Sequence, residues 1–522
     1  MDMDRSRSGA VPFVDLIRPL VEEAGSTLRA RASDSFLQLS SEAHVKMESS
    51  LLHTLGNICG QALELGFSLF RARRETVTQT LPELPCPQVL YRQFVRNATP
   101  KGLLGLIEEY RPLQSTVVLC VEQWIRATQE FCERLQADRA EIATFFNRGQ
   151  DPGVVTDIGT DLSDRHDGGR TVLALEFSSG LQLVYKPKDL GTDEVYFSIL
   201  DWCNRNGVPL EFRALRVLRK PGYGWEMLVD RRPCDNEGRV RRYYLRAGQL
   251  LCLIYVLAGT DCHFDNLIAC GEQPILIDTE MLFQPRLPGE FSGNADTVMR
   301  TGLLPGAKTL DLSGLGCTTE QPTHLRVPEW QHVNTDRMRL SFRPARLESR
   351  NSVVMRGDTP VSALDYVDSI AEGFRHMYRF LMTRRQALLA SDGPLASIAG
   401  QKVRVLARGT MEYLLALSDA FDPKHLRASD CLRIRFREPS RFPGLEPFEV
   451  AALQRMDVPR FFAEASAKVW SPSAEAGISV AFFETGLERV LSGIEQLSEA
   501  ALERQLGIMK LAWAMSGLSK IS

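Results

Sequence analysis

No apolar run in this sequence is long enough to span a bilayer, and the opening residues Met1-Asp2-Met3-Asp4-Arg5 carry no secretory signal. A membrane-spanning or exported protein is therefore not expected. No Cys-x-x-Cys pair occurs, so zinc ribbons and dithiol redox motifs lack their usual signature. The Gly-x-x-x-x-Gly-Lys loop that cradles phosphates in one large nucleotide-binding class is missing as well. No internal repeat and no low-complexity tract is found, so a solenoid is not expected. Charge of one sign is never in large excess. With 62 Lys and Arg against 65 Asp and Glu, the formal net charge is −3, leaving no electrostatic case for nucleic acid or an anionic membrane as partner.

The 522 residues are too many for one ordinary core, and 44% apolar with 24% charged residues is the mix of a globular protein. Eleven cysteines, an odd number, lie scattered inside helix- and strand-like patterns. That distribution fits reduced thiols better than a disulfide framework, and the expected compartment is the cytoplasm.

Residues 1–150 read as a helical region. Apolar positions recur at helical spacing in Phe13–Ala24, Leu51–Phe70 and Leu103–Leu135. His44 and His53 read as surface or core residues. Residues 151–235 are β-rich. Thr171–Phe177 and Leu181–Lys186 alternate around the turn Ser178-Ser179-Gly180, and the second run delivers Lys186 to a strand end, where it can reach the phosphates of a nucleotide or simply be solvated. Asp193 is a plausible cap for a helix ending before Gly207. Phe212–Leu218 and Gly224–Val229 look like strands, the second either a link between two lobes or an unliganded edge. Residues 236–522 are mainly helical, beginning with an apolar helix, Tyr243–Ala258, stopped by Gly259. Met281–Trp330, ~50 residues rich in Gly, Pro, Ser and Thr, shows no sustained period and reads as a long functional loop. Asp365–Arg384 is a helix, Val403–Leu417 carries Arg404, Arg408 and Thr410, and Glu484–Met515 reads as two amphipathic helices. Two guanidinium groups and a hydroxyl can hold a phosphate, although an ordinary surface-arginine helix face reads the same way. The expected class is α+β.

The chemistry concentrates in Asp261–Glu280. Two short apolar runs, Leu267–Cys270 and Pro274–Ile277, flank Gly271-Glu272-Gln273 in a strand–turn–strand pattern. At about 3.4 Å per residue, two equal arms return Asp278 to a side chain's reach of Asn266. The hairpin thus gathers Asp261, His263, Asn266, Asp278 and Glu280. Phosphoryl transfer needs such a set: one carboxylate to orient or deprotonate a hydroxyl, and an Asn and an Asp to hold Mg²⁺ against phosphates. A loop's own hydrogen-bonding set is the bland alternative. A zinc site using Cys262 and His263 is the rival chemistry, disfavoured because adjacent residues rarely face one metal.

Taken together, these stretches resemble the dehydratase domain of class II (LanM-type) lanthipeptide synthetases. The resemblance runs from Pro12-Phe13 to Glu503-Arg504-Gln505-Leu506. It is carried by Asp164-Arg165-His166-Asp167-Gly168-Gly169-Arg170, Val184-Tyr185-Lys186-Pro187-Lys188, Asp261–Phe283, Arg300-Thr301-Gly302-Leu303-Leu304-Pro305, Asp311–Gly316, Asn334-Thr335-Asp336, Asp365-Tyr366-Val367-Asp368 and Arg404 to Thr410. It implies a lipid-kinase-like core, with a β-rich N-lobe and a helical C-lobe. It also implies a two-step reaction on a ribosomal precursor peptide, made of a leader and a Ser/Thr-rich core. ATP and Mg²⁺ phosphorylate Ser or Thr, and phosphate is then eliminated to leave dehydroalanine or dehydrobutyrine. By the same resemblance Asp261 orients or deprotonates the hydroxyl, with His263 supporting its loop. Asn266, Asp278 and Glu280 hold Mg²⁺ and Lys186 contacts phosphate. Asp164, His166, Arg404 and Thr410 serve elimination, with the base left open among Lys186, Asp164 and His166. Relatives continue into a zinc-dependent cyclase, so a separate LanC-like cyclase is an expected partner. A kinase-like phosphotransferase without elimination, or a non-catalytic peptide-binding subunit, are the alternative expectations.

Overall fold

The computed structural model describes residues 10–75, 88–287, 296–306, 310–316, 320–348, 351–427, 430–472 and 477–519. Helix is the dominant element, interspersed with small antiparallel sheets, so the chain is a mixed α and β protein. No helix among the described residues is long and apolar enough to cross a membrane.

The amino-terminal helices span Val14–Ala32, Ser41–Glu75, Val89–Ala98 and Arg111–Phe146, with a short turn at Gly102–Leu106 breaking the apolar stretch read as continuous from Leu103. Pro112 sits in the first turn of the last long helix, where its missing N–H has no intrahelical partner to lose. Leu16, Ile17, Val21, Ala24 and Leu28 form the buried stripe of the first helix.

A five-stranded sheet follows, β1 Val155–Gly159, β2 Leu173–Phe177, β3 Gln182–Lys186, β4 Val217–Lys220 and β5 Tyr223–Met227, in the order β1-β2-β3-β5-β4. Gly180 and Gly222 take the positive φ (82° and 79°) that their hairpin turns require. β5 lies between β3 and β4, so the Gly224–Val229 stretch is not an edge strand; β4, which starts only at Val217, is the edge on that side. The pleat divides the sheet's two faces. Leu183, Tyr185 and Trp225 point into one core shared with the amino-terminal helices, and the Trp225 indole donates to Asp138 at 2.8 Å. The opposite face presents Val184, Lys186 and Glu226.

The Gly191–Arg205 helix is capped at Leu190, not at Asp193, which lies inside its first turn with its side chain buried. Helix Glu237–Val256 is the axis of the larger core. It crosses helix Val367–Thr383 at a pair of glycines: a Cβ at Gly248 would strike the Ile370 carbonyl, and one at Gly373 the Leu245 carbonyl. Helices Gly486–Glu495 and Glu499–Ser519 close this side, the first entered through a capping box between Thr485 and Glu488.

The expected loop at Met281–Trp330 is corrected in its last part. Glu320–Gln331 is a strand paired with Arg339–Glu348. Pro322 and Pro328 obscure its period, and a register shift between Pro322 and Arg326 accommodates the irregularity. The tip of this hairpin returns to the amino-terminal helices. Asn334 accepts from the Phe13 N–H at 2.7 Å and donates to the Val11 carbonyl at 2.9 Å, while Asp336 accepts from the Tyr91 N–H at 2.7 Å. Parts of the remaining Met281–Trp330 stretch (288–295, 307–309, 317–319) lie outside the described residues.

Candidate active site

The hairpin forms with Leu267 opposite Leu276 and Cys270 opposite Gln273. Its open end is clamped by the Ile277 N–H bonding to the Asn266 carbonyl at 3.0 Å, which sets Asp278 beside Asn266. The preceding helix ends at Val256, and Ala258, not Gly259, takes the left-handed conformation (φ 53°). Gly259 is required by space, since a Cβ there would meet Ile254 Cγ2 at 2.6 Å and Leu282 Cδ2 at 2.7 Å.

Asp261 follows at φ 60°, a conformation unusual for a non-glycine residue but one that Asp tolerates. It is held from both sides. The Asn266 amide donates to its carbonyl at 2.9 Å, and the Cys262 N–H bonds to the Thr301 carbonyl at 2.9 Å. Gly302 and Gly314 permit that packing: Cβ atoms there would stand 3.1 Å from the Cys262 nitrogen and 2.7 Å from its oxygen. The His263 ring accepts from the Asp265 N–H at 3.2 Å, capping the turn Phe264–Asn266. Cys262 is buried with its Sγ 3.6 Å from the Thr260 carbonyl, and among the described residues no trio of His, Cys, Asp or Glu is grouped for a metal, so the zinc alternative finds no ligand set.

Two lysines meet the far arm. Lys186 Nζ bonds to Glu226 at 2.7 Å, Asp193 at 3.1 Å and the Ile277 carbonyl at 2.8 Å. Burial disfavours its ammonium, but Asp193, Glu226 and Asp278 outweigh that and keep it charged. Lys188 Nζ lies 2.9 Å from Asp278 and 2.8 Å from Glu280. Glu280 also receives Arg404 Nη1 at 2.6 Å, and the Arg404 N–H bonds to the Glu280 carbonyl at 2.9 Å. Burial works against ionisation of Glu280, yet Lys188 and Arg404 hold its carboxyl well below the usual carboxylate range. Burial pushes the Asp261 carboxyl up, His263 and Arg404 oppose that, and Asp278 and Glu280 add to it. Water still reaches Asp261, which tempers the effect of burial.

His166 arrives from the other side. Its loop is gripped by Asp457, whose carboxylate accepts from the N–H groups of Gly168 and Gly169 at 2.7 and 2.8 Å. The His166 Nδ1 donates to the Val458 carbonyl at 2.6 Å, a tautomer assigned from that partner, which leaves Nε2 as an acceptor. Burial first, then Arg460 and Arg404, push the imidazole down to about 3, so it is neutral near pH 7.

Lys186, Asp261, His263, Asn266, Asp278, Glu280, His166 and Arg404 are therefore joined by direct bonds or by strong mutual electrostatics. Asp164 and Thr410 are not. Asp164 is half-buried two residues before His166, and its carbonyl accepts from Ser163 Oγ at 2.9 Å; among the described residues no side-chain bond links it to the cluster. Thr410 is the first residue of helix Thr410–Ala420, and no described side-chain bond links it to the cluster. Arg408 is corrected outright. Lys402–Val405 is a strand, and beyond it Arg408 pairs with Glu449 at 2.9 Å over the Phe436 ring, a structural role. The sequence reading missed Lys188, Glu226, Asp457 and Arg460. Glu226 left a signal, a carboxylate inside the otherwise apolar strand Tyr223–Met227.

The donors offered to a magnesium nucleotide are all oxygens, from Asp278, Glu280 and the Asn266 amide, whose nitrogen is already spent on Asp261. The Lys188 ammonium stands between two of them, and oxygen donors are the kind that a hard divalent cation takes. These residues suit Mg²⁺.

A family model described as a domain of unknown function, DUF4135, matches residues 110–464. Among curated proteins the chain is similar to the lacticin 481/lactococcin biosynthesis protein LcnDR2 of Lactococcus lactis subsp. lactis, at 24% identity over 407 residues. That match covers 73% of this chain and 43% of the relative, so the chain spans less than half the length of the protein it matches. The likeness to the LanM type read from the sequence is borne out by these matches.

Proposed function

We infer that this chain, which belongs to the DUF4135 family, is a lanthipeptide precursor dehydratase that phosphorylates Ser and Thr side chains and then eliminates the phosphate. One observation carries the reading: Glu280 is bonded at once to Lys188 and to Arg404, so the phosphorylation set and the elimination set meet at one carboxylate. In this reading the β-rich region and the helical region are the two lobes of a lipid-kinase-like core.

Bound magnesium and ATP supply the electrophilic γ-phosphoryl group and neutralise its charge. Asn266, Asp278 and Glu280 are the residues that would hold the metal, and Lys186, kept protonated by Asp193 and Glu226, would face the phosphates. Asp261, on its strained and doubly anchored loop, orients the substrate hydroxyl and takes up its proton. A hydroxyl is a poor leaving group and a phosphate a good one, which is the logic of the second step. There a base removes the Cα proton, the Cα–H pair becomes the Cα=Cβ bond, and the Cβ–O bond breaks with phosphate leaving. Arg404 is the cation at hand for that phosphate, and neutral His166, its Nδ1 engaged by the Val458 carbonyl, offers Nε2 as an acceptor.

The test is incubation with ATP, Mg²⁺ and a short Ser/Thr/Cys-rich precursor peptide encoded beside the chain, followed by mass measurement. Loss of one water mass per modified residue supports the reading. Persistent phosphate adducts reduce the chain to a phosphotransferase. Absence of Mg-dependent nucleotide binding in folded protein leaves a peptide-binding subunit. A LanC-like cyclase is the partner proposed for ring closure.

A further inference from the structure

Arg460 lies just outside strand Phe461–Glu464, which pairs with Lys402–Val405 so that Phe461 faces Val405 and Phe462 faces Arg404. Extending that register one step sets Arg460 diagonal to Arg404 on the same face, a backbone separation of about 7–8 Å. The Arg460 side chain is only 7% exposed. One nitrogen pairs with the Asp167 carboxylate, which is mostly open to solvent, and the guanidinium rests against the Phe462 ring at 5.7 Å. Its Nε is buried with no hydrogen-bond partner. A buried charged donor left unsatisfied is costly, and proteins retain such groups where a ligand completes them.

The surroundings favour an anion of one kind. Arg460 and Arg404 are the two guanidinium groups whose charges most depress the basicity of His166. Of the carboxylates nearby, Glu280 is already balanced by Lys188 and Arg404, and Asp167 is a solvent-side tether that an incoming anion can replace. Asp457 is spent on the Gly168 and Gly169 N–H groups. What remains is a planar fork of donors matched to a tetrahedral oxyanion.

We propose that Arg460 and Arg404 form a two-guanidinium cradle for the phosphate that leaves the phosphorylated Ser or Thr, with Arg460 a second phosphate-binding residue of the elimination step. This rests on the dehydratase reading. In that step the base takes the Cα proton, the Cβ–O bond breaks and phosphate departs with the bonding pair, while both arginines stay protonated throughout.

The experiment supplies the full chain with a precursor peptide already carrying phosphoserine, without ATP, so that elimination is read apart from phosphorylation. Inorganic phosphate binding is measured in parallel by calorimetry on wild type, Arg460→Gln and Arg460→Lys. Loss of one charge-assisted contact lowers elimination and phosphate affinity by about tenfold or more in Arg460→Gln, with partial recovery in Arg460→Lys. Wild-type values for both readouts in well-folded Arg460→Gln overturn the cradle. So does a variant whose thermal stability and nucleotide binding collapse together with elimination and are not rescued by Lys, which marks a structural residue. If wild type leaves the phosphopeptide intact, the dehydratase reading fails, and the phosphate titrations still decide whether the cradle exists.

Discussion

Lys188 Nζ stands 2.8 Å from Glu280 Oε2, and this contact joins the strand end of the β-rich region to the far arm of the hairpin Leu267–Leu276. The same ammonium holds Asp278 at 2.9 Å. Both Lys188 and Glu280 are nearly inaccessible to water, so each charge depends on its ion-pair partners, Asp278 and Glu280 for the lysine and Lys188 and Arg404 for the carboxylate.

Lys188→Met therefore takes from Asp278 its direct ion-pair partner and leaves Glu280 with Arg404 alone. The expected cost is about 3–5 kcal/mol in metal-free protein, as for other broken buried pairs. Millimolar Mg²⁺ should restore much of it, giving the variant a larger magnesium-induced rise in Tm than wild type. Equal rises in both would remove Lys188 from the metal site.

His166 makes stability depend on pH. Its folded value is pushed down to about 3 from an ordinary 6.5, so below pH 6.5 the unfolded chain takes up a proton that the folded chain refuses. The contribution is complete above pH 6.5 and is lost progressively as pH falls toward 3, at up to about 1.4 kcal/mol per pH unit. His166→Gln should flatten the unfolding free energy between pH 6.5 and about 5. Identical slopes in denaturant titrations of the two proteins would contradict the burial of a neutral imidazole.

Gly314→Ala tests the platform beneath Asp261. A Cβ there meets the Cys262 carbonyl at 2.7 Å and Leu303 Cδ2 at 2.8 Å, and the backbone must move. The expected loss is about 1–3 kcal/mol of stability, typical of overpacking. Phosphorylation should fall further than stability explains, read as a drop in kcat at a temperature where the variant is folded.

How much of this was legible follows from which forces leave local traces. The hairpin was legible because its apolar arms and Gly-Pro punctuation are local, and the β2–β3 turn likewise. The strand Glu320–Gln331 was not, because Pro322 and Pro328 erase its period while its stability comes from a partner strand and from docking onto Phe13 and Tyr91. Asp193 has the residue type of a cap, but its carboxylate is committed to Lys186, a contact set only once the helix packs under the sheet. Arg404 and Arg408 look equivalent in sequence and diverge because a strand ends between them. Arg460 left no trace, since its meaning depends entirely on a cross-strand neighbour.

Asn334 measures how tightly the hairpin tip is fastened to the amino-terminal helices. Its amide serves the Phe13 N–H, the Val11 carbonyl and the Tyr91 hydroxyl. Asn334→Ala should cost about 1–3 kcal/mol by leaving buried partners unsatisfied. Limited proteolysis should then cut faster between Gln331 and Arg339; an unchanged cleavage rate would show that the tip is held by apolar packing alone.

The most direct measurement compares Asp278→Asn with Arg404→Ala on a precursor peptide with ATP and Mg²⁺, reading product mass. The account predicts unmodified peptide from the first, which loses a metal carboxylate, and accumulating phosphopeptide from the second, which loses the cation for the departing phosphate. If both variants yield the same species, or if Arg404→Ala still releases water at the wild-type rate, the two steps are not divided across this pocket as described.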